Sequence, residues 1–100
     1  MKTITYPHIK EFSDYRQYLA ARYCFLRDTE NFSFRKFSKL AGFGSPNYLK
    51  LVIDRERHIA PKSVAKFAIG LQLSEEETAY FKQWMFRIAE ANFKDVWSKV

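Results

Sequence analysis

The stretch of sequence that decides the fold reads SFRKFSKLAGFGSPNYLKLVI and occupies residues 33–53. Ser33 is a helix-capping residue and precedes apolar residues at helical spacing. Gly42 is a natural end for that helix, because glycine adopts positive φ without steric cost. Ser45 and Pro46 then form an N-cap followed by proline at the first helical position. The stretch therefore predicts two short helices separated by a tight turn.

Helical spacing on both sides of this stretch predicts three further helices, which begin after Asp14, at Pro61 and at the Ser74/Glu77 capping box. No segment alternates with the period of two that strands show. The chain is thus predicted to be all-α with five helices. The predicted core positions in these three helices are Tyr15, Tyr18, Leu19, Tyr23, Leu26, Val64, Phe67, Ala68, Leu71, Phe81, Trp84, Met85 and Ile88.

Length and composition exclude several classes of protein. A chain of 100 residues with 47% apolar residues forms one globular domain, and no apolar run approaches the ~20 residues of a membrane helix. The single cysteine forms no internal disulfide, and no signal peptide is visible, so a cytoplasmic location is expected. We divide the chain into an N-terminal arm (1–12), a five-helix domain (13–92) and an aromatic-rich C-terminal tail (93–100).

The positive charge is confined to the middle of the chain. Residues 31–66 hold eight basic and two acidic side chains, which gives this segment a net charge of +6. The whole chain has the same net charge. The net charge is +1 over residues 1–30 and −1 over residues 67–100. A local basic block of this kind is expected of a surface that faces phosphate groups, and also of an ordinary solvated helix face.

The motif in this basic block resembles the lambda-repressor-like (Cro/C1-type) helix-turn-helix family over roughly residues 13–75, with the motif itself at about 33–54. The resemblance is carried by Phe37-Ser38-x-x-Ala41-Gly42-Phe43, Leu49-x-x-Val52 and Pro61-x-x-Val64. The run AGFGSPNYLK, residues 41–50, is similar to the N-terminal domain of a family of uncharacterised bacterial proteins that look like transcriptional regulators. In the broad family a glycine commonly stands where this chain has Arg55.

The resemblance implies a DNA-binding transcriptional regulator without cofactor, metal or enzymatic activity. Its recognition helix, about residues 45–53, would enter the major groove of duplex DNA. The implied base-reading residues are Ser45, Asn47 and Lys50. The implied phosphate-binding residues are Ser33, Arg35, Lys36, Lys39, Arg55, Arg57, His58 and Lys62.

An alternative function is a protein–protein interaction module on the same scaffold. The third helix is very apolar, and Leu51 is predicted to face outward, where it would contact a thymine methyl group or a protein. Phe86, Phe93 and Trp97 fall off the apolar stripe of the fifth helix, and exposed aromatic clusters often mark interfaces. They predict a homodimer or another protein contact, unless the tail folds back and buries them within one chain.

Overall fold

The computed structural model describes the backbone of residues 6–98 and the side chains of residues 6–90. Short 3-10 turns at Ile9–Glu11 and Pro61–Ser63 precede two of the helices, and no strand occurs within residues 6–98. The prediction of an all-helical chain with five helices is confirmed. The helices are α1 (Tyr15–Glu30), α2 (Phe34–Ala41), α3 (Tyr48–Ile53), α4 (Val64–Gly70) and α5 (Glu75–Ser98).

Side-chain caps define the starts of three helices, α1, α2 and α5, as the sequence predicts. The Asp14 carboxylate accepts from the N–H of Arg16 at 2.9 Å at the start of α1. The Ser33 hydroxyl accepts from the N–H of Lys36 at 3.1 Å at the start of α2. At the end of α2, Gly42 has a φ of 83°, which turns the chain into the left-handed conformation that glycine tolerates.

The capping box of α5 closes in both directions. The N–H of Glu77 donates to the Ser74 hydroxyl at 3.1 Å, and the N–H of Ser74 donates to the Glu77 carboxylate at 2.9 Å. Both bonds satisfy amides that the first turn of a helix otherwise leaves without an acceptor. Helix α5 continues through Ser98, across the boundary that we placed after Asn92.

The predicted start of α3 at Ser45 is wrong, because the helix begins at Tyr48. The Ser45 hydroxyl accepts only from the N–H of Asn47, at 3.4 Å, which closes a local turn and not a helix cap. The first helical hydrogen bond runs from the N–H of Leu51 to the Asn47 carbonyl at 2.9 Å. Ser45 and Pro46 therefore belong to the loop of residues 42–47 that joins α2 to α3.

The core is built from aromatic and aliphatic side chains of all five helices. Helix α2 packs on α3 and α4, α1 packs on α3, and α5 packs on α4 and on both 3-10 turns. Within residues 6–98, no helix combines the length with the apolar content that a membrane crossing requires. The side chains with no exposed surface include Tyr18, Leu19, Leu26, Phe37, Leu49, Val52, Phe67, Leu71 and Phe81.

Arg22 of α1 is buried and caps the C-terminal end of α4. Its Nε donates to the Leu71 carbonyl and its Nη2 to the Gln72 carbonyl, each at 3.0 Å. The last carbonyls of a helix have no partner within the helix and carry partial negative charge, so the buried guanidinium satisfies both needs. Gln72 itself has a φ of 57°, the left-handed conformation that ends α4.

Arg16, six residues or about 1.7 turns earlier on α1, is buried and binds the C-terminal end of α3. Its Nη1 donates to the carbonyl of Val52 and, at 3.0 Å, to the carbonyl of Arg57. Its Nη2 contacts Nδ1 of His58 at 3.2 Å. One arginine thus holds both the end of α3 and the loop that follows it.

The described part of the N-terminal arm packs against the start of α5. Ile9 is buried, and the Tyr6 hydroxyl donates to the carboxylate of Glu77 at 2.5 Å. Burial alone would raise the pKa of Glu77, but hydrogen bonds from Ser74 and Tyr6 and the nearby charge of Arg22 lower its pKa overall. Tyr6 also lies over the Arg22 guanidinium at 5.2 Å, so the arm, α1 and α5 meet at one cluster.

Replacing Arg22 with methionine should destabilise the fold, because the carbonyls of Leu71 and Gln72 lose their donors. Hydrogen bonds to a charged group contribute about 1.5–3 kcal/mol each, so we expect the free energy of unfolding to fall by about 2–4 kcal/mol. Urea unfolding followed by circular dichroism measures the change. Arg27→Met removes the same charge from an exposed position of α1 and should cost under about 0.5 kcal/mol. Equal losses in the two variants would contradict the capping role of Arg22.

A second prediction concerns Gly70 at the end of α4, where α2 approaches most closely. A Cβ atom added there would lie 2.6 Å from Cε2 of the fully buried Phe37 and 3.0 Å from Cβ of Ala41. Gly70→Ala should therefore lower the free energy of unfolding by about 1–3 kcal/mol, although alanine favours helices. Gly44→Ala is the matched control, since nothing lies within 4 Å of the added Cβ. A stabilised Gly70→Ala chain would show that α2 and α4 are loosely packed.

Candidate nucleic-acid interface

Helix α2 presents three exposed cations and no acidic side chain. Arg35 and Lys36 lie in its first turn and Lys39 in its last turn, and all three are exposed. Basic residues in the first turn oppose the helix dipole, so their position is better matched to a bound anion than to the isolated helix. None of the three joins an ion pair within the described part of the chain. Ser33 is exposed beside them, with its hydroxyl already accepting from Lys36.

An aromatic cluster supports the loop of residues 42–47. The half-buried ring of Phe43 lies 4.7 Å from Tyr48 and 5.4 Å from Phe67, measured between ring centroids. Because the rings on both sides of the loop are packed into the core, Ser45 and Asn47 are held on its exposed face. The Asn47 side chain makes no capping hydrogen bond to α3, so its amide is available to a partner.

Helix α3 is short, and its buried face uses Leu49 and Val52, neither of which has exposed surface. Lys50 is exposed and donates to the carboxylate of Asp54 at 2.9 Å. That hydrogen bond, together with the charge of Asp54, raises the pKa of Lys50. Leu51 is partly buried, so the prediction that it faces outward holds for only part of its surface.

The loop after α3 is held by its backbone and by an ion pair with α1. Arg55 has a φ of 67°, the left-handed conformation for which glycine is usual, and it pairs with Asp14 across the loop. Burial alone would raise the pKa of Asp14, but the N–H of Arg16 and the side chain of Arg55 lower its pKa overall. Arg57 and His58 are exposed, and the His58 carbonyl accepts from the Tyr48 hydroxyl at 3.0 Å.

The remaining candidate residues lie elsewhere on the molecule. Lys62 is exposed but lines a groove between α4 and α5. Phe86 of α5 lies beside the same groove with 70% of its surface exposed. The side chains of Phe93 and Trp97 lie outside the described residues, so the predicted interface is represented by Phe86 alone.

The candidate residues of α2 and of the loop before α3 lie on neighbouring elements, whereas Lys62 and Phe86 line the groove. Because α2 packs on α3, the cations of α2 lie on an element next to the loop that carries Ser45 and Asn47. We call Arg35, Lys36, Lys39, Ser45 and Asn47 the basic surface. Lys50 and Arg55 are not included in it, because each has its charge paired to a carboxylate.

Sequence reasoning missed the two buried arginines and the position of Lys66. Arg22 stands four residues after Tyr18 and four before Leu26, so its spacing placed it on the apolar stripe of α1. That spacing was a readable signal of burial. No comparable local signal exists for Arg16, whose partners lie 36 and 41 residues away. Lys66 lies 5.6 Å above the ring of Phe43, a contact between α4 and the loop.

Comparison with protein-family models, with curated proteins and with solved structures gives no match for this chain.

Proposed function

We propose that this chain is a DNA-binding regulator of the lambda-repressor-like helix-turn-helix type. The observation that carries the proposal is the set of three exposed cations on α2, free of ion pairs among the described residues, beside a loop with exposed Ser45 and Asn47. Cations of this kind neutralise phosphates and release counterions, which supplies most of the affinity of a protein for duplex DNA.

Specificity in this proposal comes from the loop of residues 42–47 and the start of α3. The Asn47 amide can pair with N6 and N7 of adenine, and the Ser45 hydroxyl can contact several bases. Lys50 contributes to base reading only when it exchanges the Asp54 carboxylate for a base. Arg55 can likewise contact a phosphate only when it leaves its ion pair with Asp14. We therefore assign the main phosphate contacts to Arg35, Lys36 and Lys39.

A salt titration with a fluorescent duplex tests the proposal directly. If the three cations of α2 make the main phosphate contacts, the logarithm of the binding constant should fall with the logarithm of salt concentration with a slope of about −3. Arg35→Ala should weaken binding to every sequence alike and reduce the magnitude of the slope by about 0.9. Asn47→Ala should keep the slope and cost about 1–3 kcal/mol of preference at one base pair, read by selection from a random duplex library.

The matched control is Arg87→Ala, which removes one exposed arginine from α5, a helix that contributes no residue to the basic surface. Its affinity and slope should equal those of the unmodified chain. Absence of duplex binding at about 50 mM salt would refute DNA binding. If Arg35→Ala changed sequence preference and Asn47→Ala did not, the assignment of the two roles would be wrong.

A second candidate function, a protein-interaction module, is favoured by the composition of α3. Its one cation is paired with Asp54, and the partly buried Leu51 adds an apolar side chain beside it. Fold alone does not choose between the two functions.

The second candidate predicts that Leu51→Asp abolishes capture of a protein partner from the lysate of the source cells and leaves duplex affinity within about twofold. Ile69→Asp is the control, because Ile69 is an apolar residue with 63% of its surface exposed on a different helix, α4. If Leu51→Asp instead lowered duplex affinity tenfold or more while Ile69→Asp did not, α3 would face DNA and not protein.

A further inference from the structure

A groove with an apolar interior and a basic rim lies between α5 and the segment that contains Pro61–Ser63 and α4. Its volume is about 490 Å³, which falls in the range of small-molecule sites. Val64 of α4 and Met85 and Ile88 of α5 form much of its apolar lining. Met85 is 8% exposed and the other two are partly buried, so the interior belongs to the packed core.

Among the described residues, the charged side chains that line the groove are all basic. Lys62 and Lys82 both line it, both are exposed, and neither joins an ion pair among the described residues. His58 contributes a further polar side chain, and no acidic residue of the described part of the chain lines the groove. Phe86 adds an aromatic ring at the edge with 70% of its surface exposed.

We propose that this groove binds a small amphipathic anion, namely a monocarboxylate with an aliphatic or aromatic body. The apolar interior takes the body, which removes both surfaces from water, and Lys62 and Lys82 take the carboxylate at the rim. The proposal is independent of DNA binding, because neither the interior nor Lys82 belongs to the basic surface.

A second copy of the chain fits the groove less well than a small anion. A two-fold contact places the same patch of each subunit against its counterpart, so Lys62 and Lys82 of one copy would approach those of the other. Such like-charge contacts are unfavourable without an acidic partner, and no acidic residue lines the groove among the described residues. The charge therefore selects an anionic occupant.

The test is a titration of the isotopically labelled chain with decanoate below its micelle concentration, followed by amide chemical shifts. Shifts should concentrate on the groove residues of α4 and α5, and decan-1-ol and decyltrimethylammonium should bind at least about fivefold more weakly. Lys82→Glu should weaken decanoate binding about fivefold. Arg87→Glu makes the same change from a basic to an acidic side chain at an exposed position of α5 that does not line the groove, and it should have no effect.

Filling the groove provides a test that does not depend on charge. Ala65→Trp and Ala89→Trp place a large ring in the groove from opposite helices, and each should weaken decanoate binding at least about tenfold. Ala79→Trp puts the same ring on an exposed site of α5 that does not line the groove. Thermal unfolding checks that all three variants are folded.

Four results would overturn the proposal. They are equal affinity for the cationic amphiphile, unchanged decanoate binding in both groove-filling variants, shifts located outside the groove, and concentration-dependent shifts of the same residues without ligand. The last result would assign the groove to a second copy of the chain. None of these outcomes depends on duplex affinity, so the proposals for the groove and for the basic surface are tested independently.

Discussion

The positive charges of Arg16 and Arg22 are buried against the C-terminal ends of α3 and α4, and the arrangement of the helices depends on these contacts. A helix end buried without donors for its last carbonyls is costly, and both of these helices are too short to be stable alone. Helix α1 supplies further donors from its core-facing surface, to the Val52 carbonyl in the last turn of α3 and to the Leu71 and Gln72 carbonyls directly after α4. The same helix thereby fixes where α3 and α4 end and which of their faces remain exposed.

The loop between α3 and α4 is held in place by contacts with the first turn of α1 and its N-cap residue. Arg16 binds the Arg57 carbonyl from inside, and Arg55 binds Asp14 from outside, so the loop is attached to α1 on both sides. The loop also contributes His58 to the groove beside α5. One segment therefore borders both candidate sites, and it is held by α1 and not by either site.

Local sequence signals predicted the parts of the fold that depend on nearby residues. Asp14, Ser33 and the Ser74/Glu77 pair cap helices within four residues of themselves, and Gly42 reverses the chain at its own position. The start of α3 was mispredicted for the opposite reason. Ser45-Pro46 has the local pattern of a helix start, but the loop is held by Phe43, whose partner Phe67 lies in α4.

The sequence likewise predicted one property of the candidate site and not another. Its charge was readable from the sequence, because eight basic residues fall within residues 31–66. Which of these charges are free was not readable. Lys50 and Asp54 are four residues apart, a spacing that allowed the pair to be foreseen, whereas Arg55 and Asp14 are 41 residues apart.

By itself, the sequence determined the helical class, most of the helix ends and the location of the charge, since each depends on periodicity or hydrogen bonds within about one helical turn. Tertiary structure alone decided that Arg55 pairs with Asp14, that Arg16 is buried and where a basic-rimmed groove opens. Those outcomes depend on contacts between segments far apart in the chain, which form only when all five helices pack together.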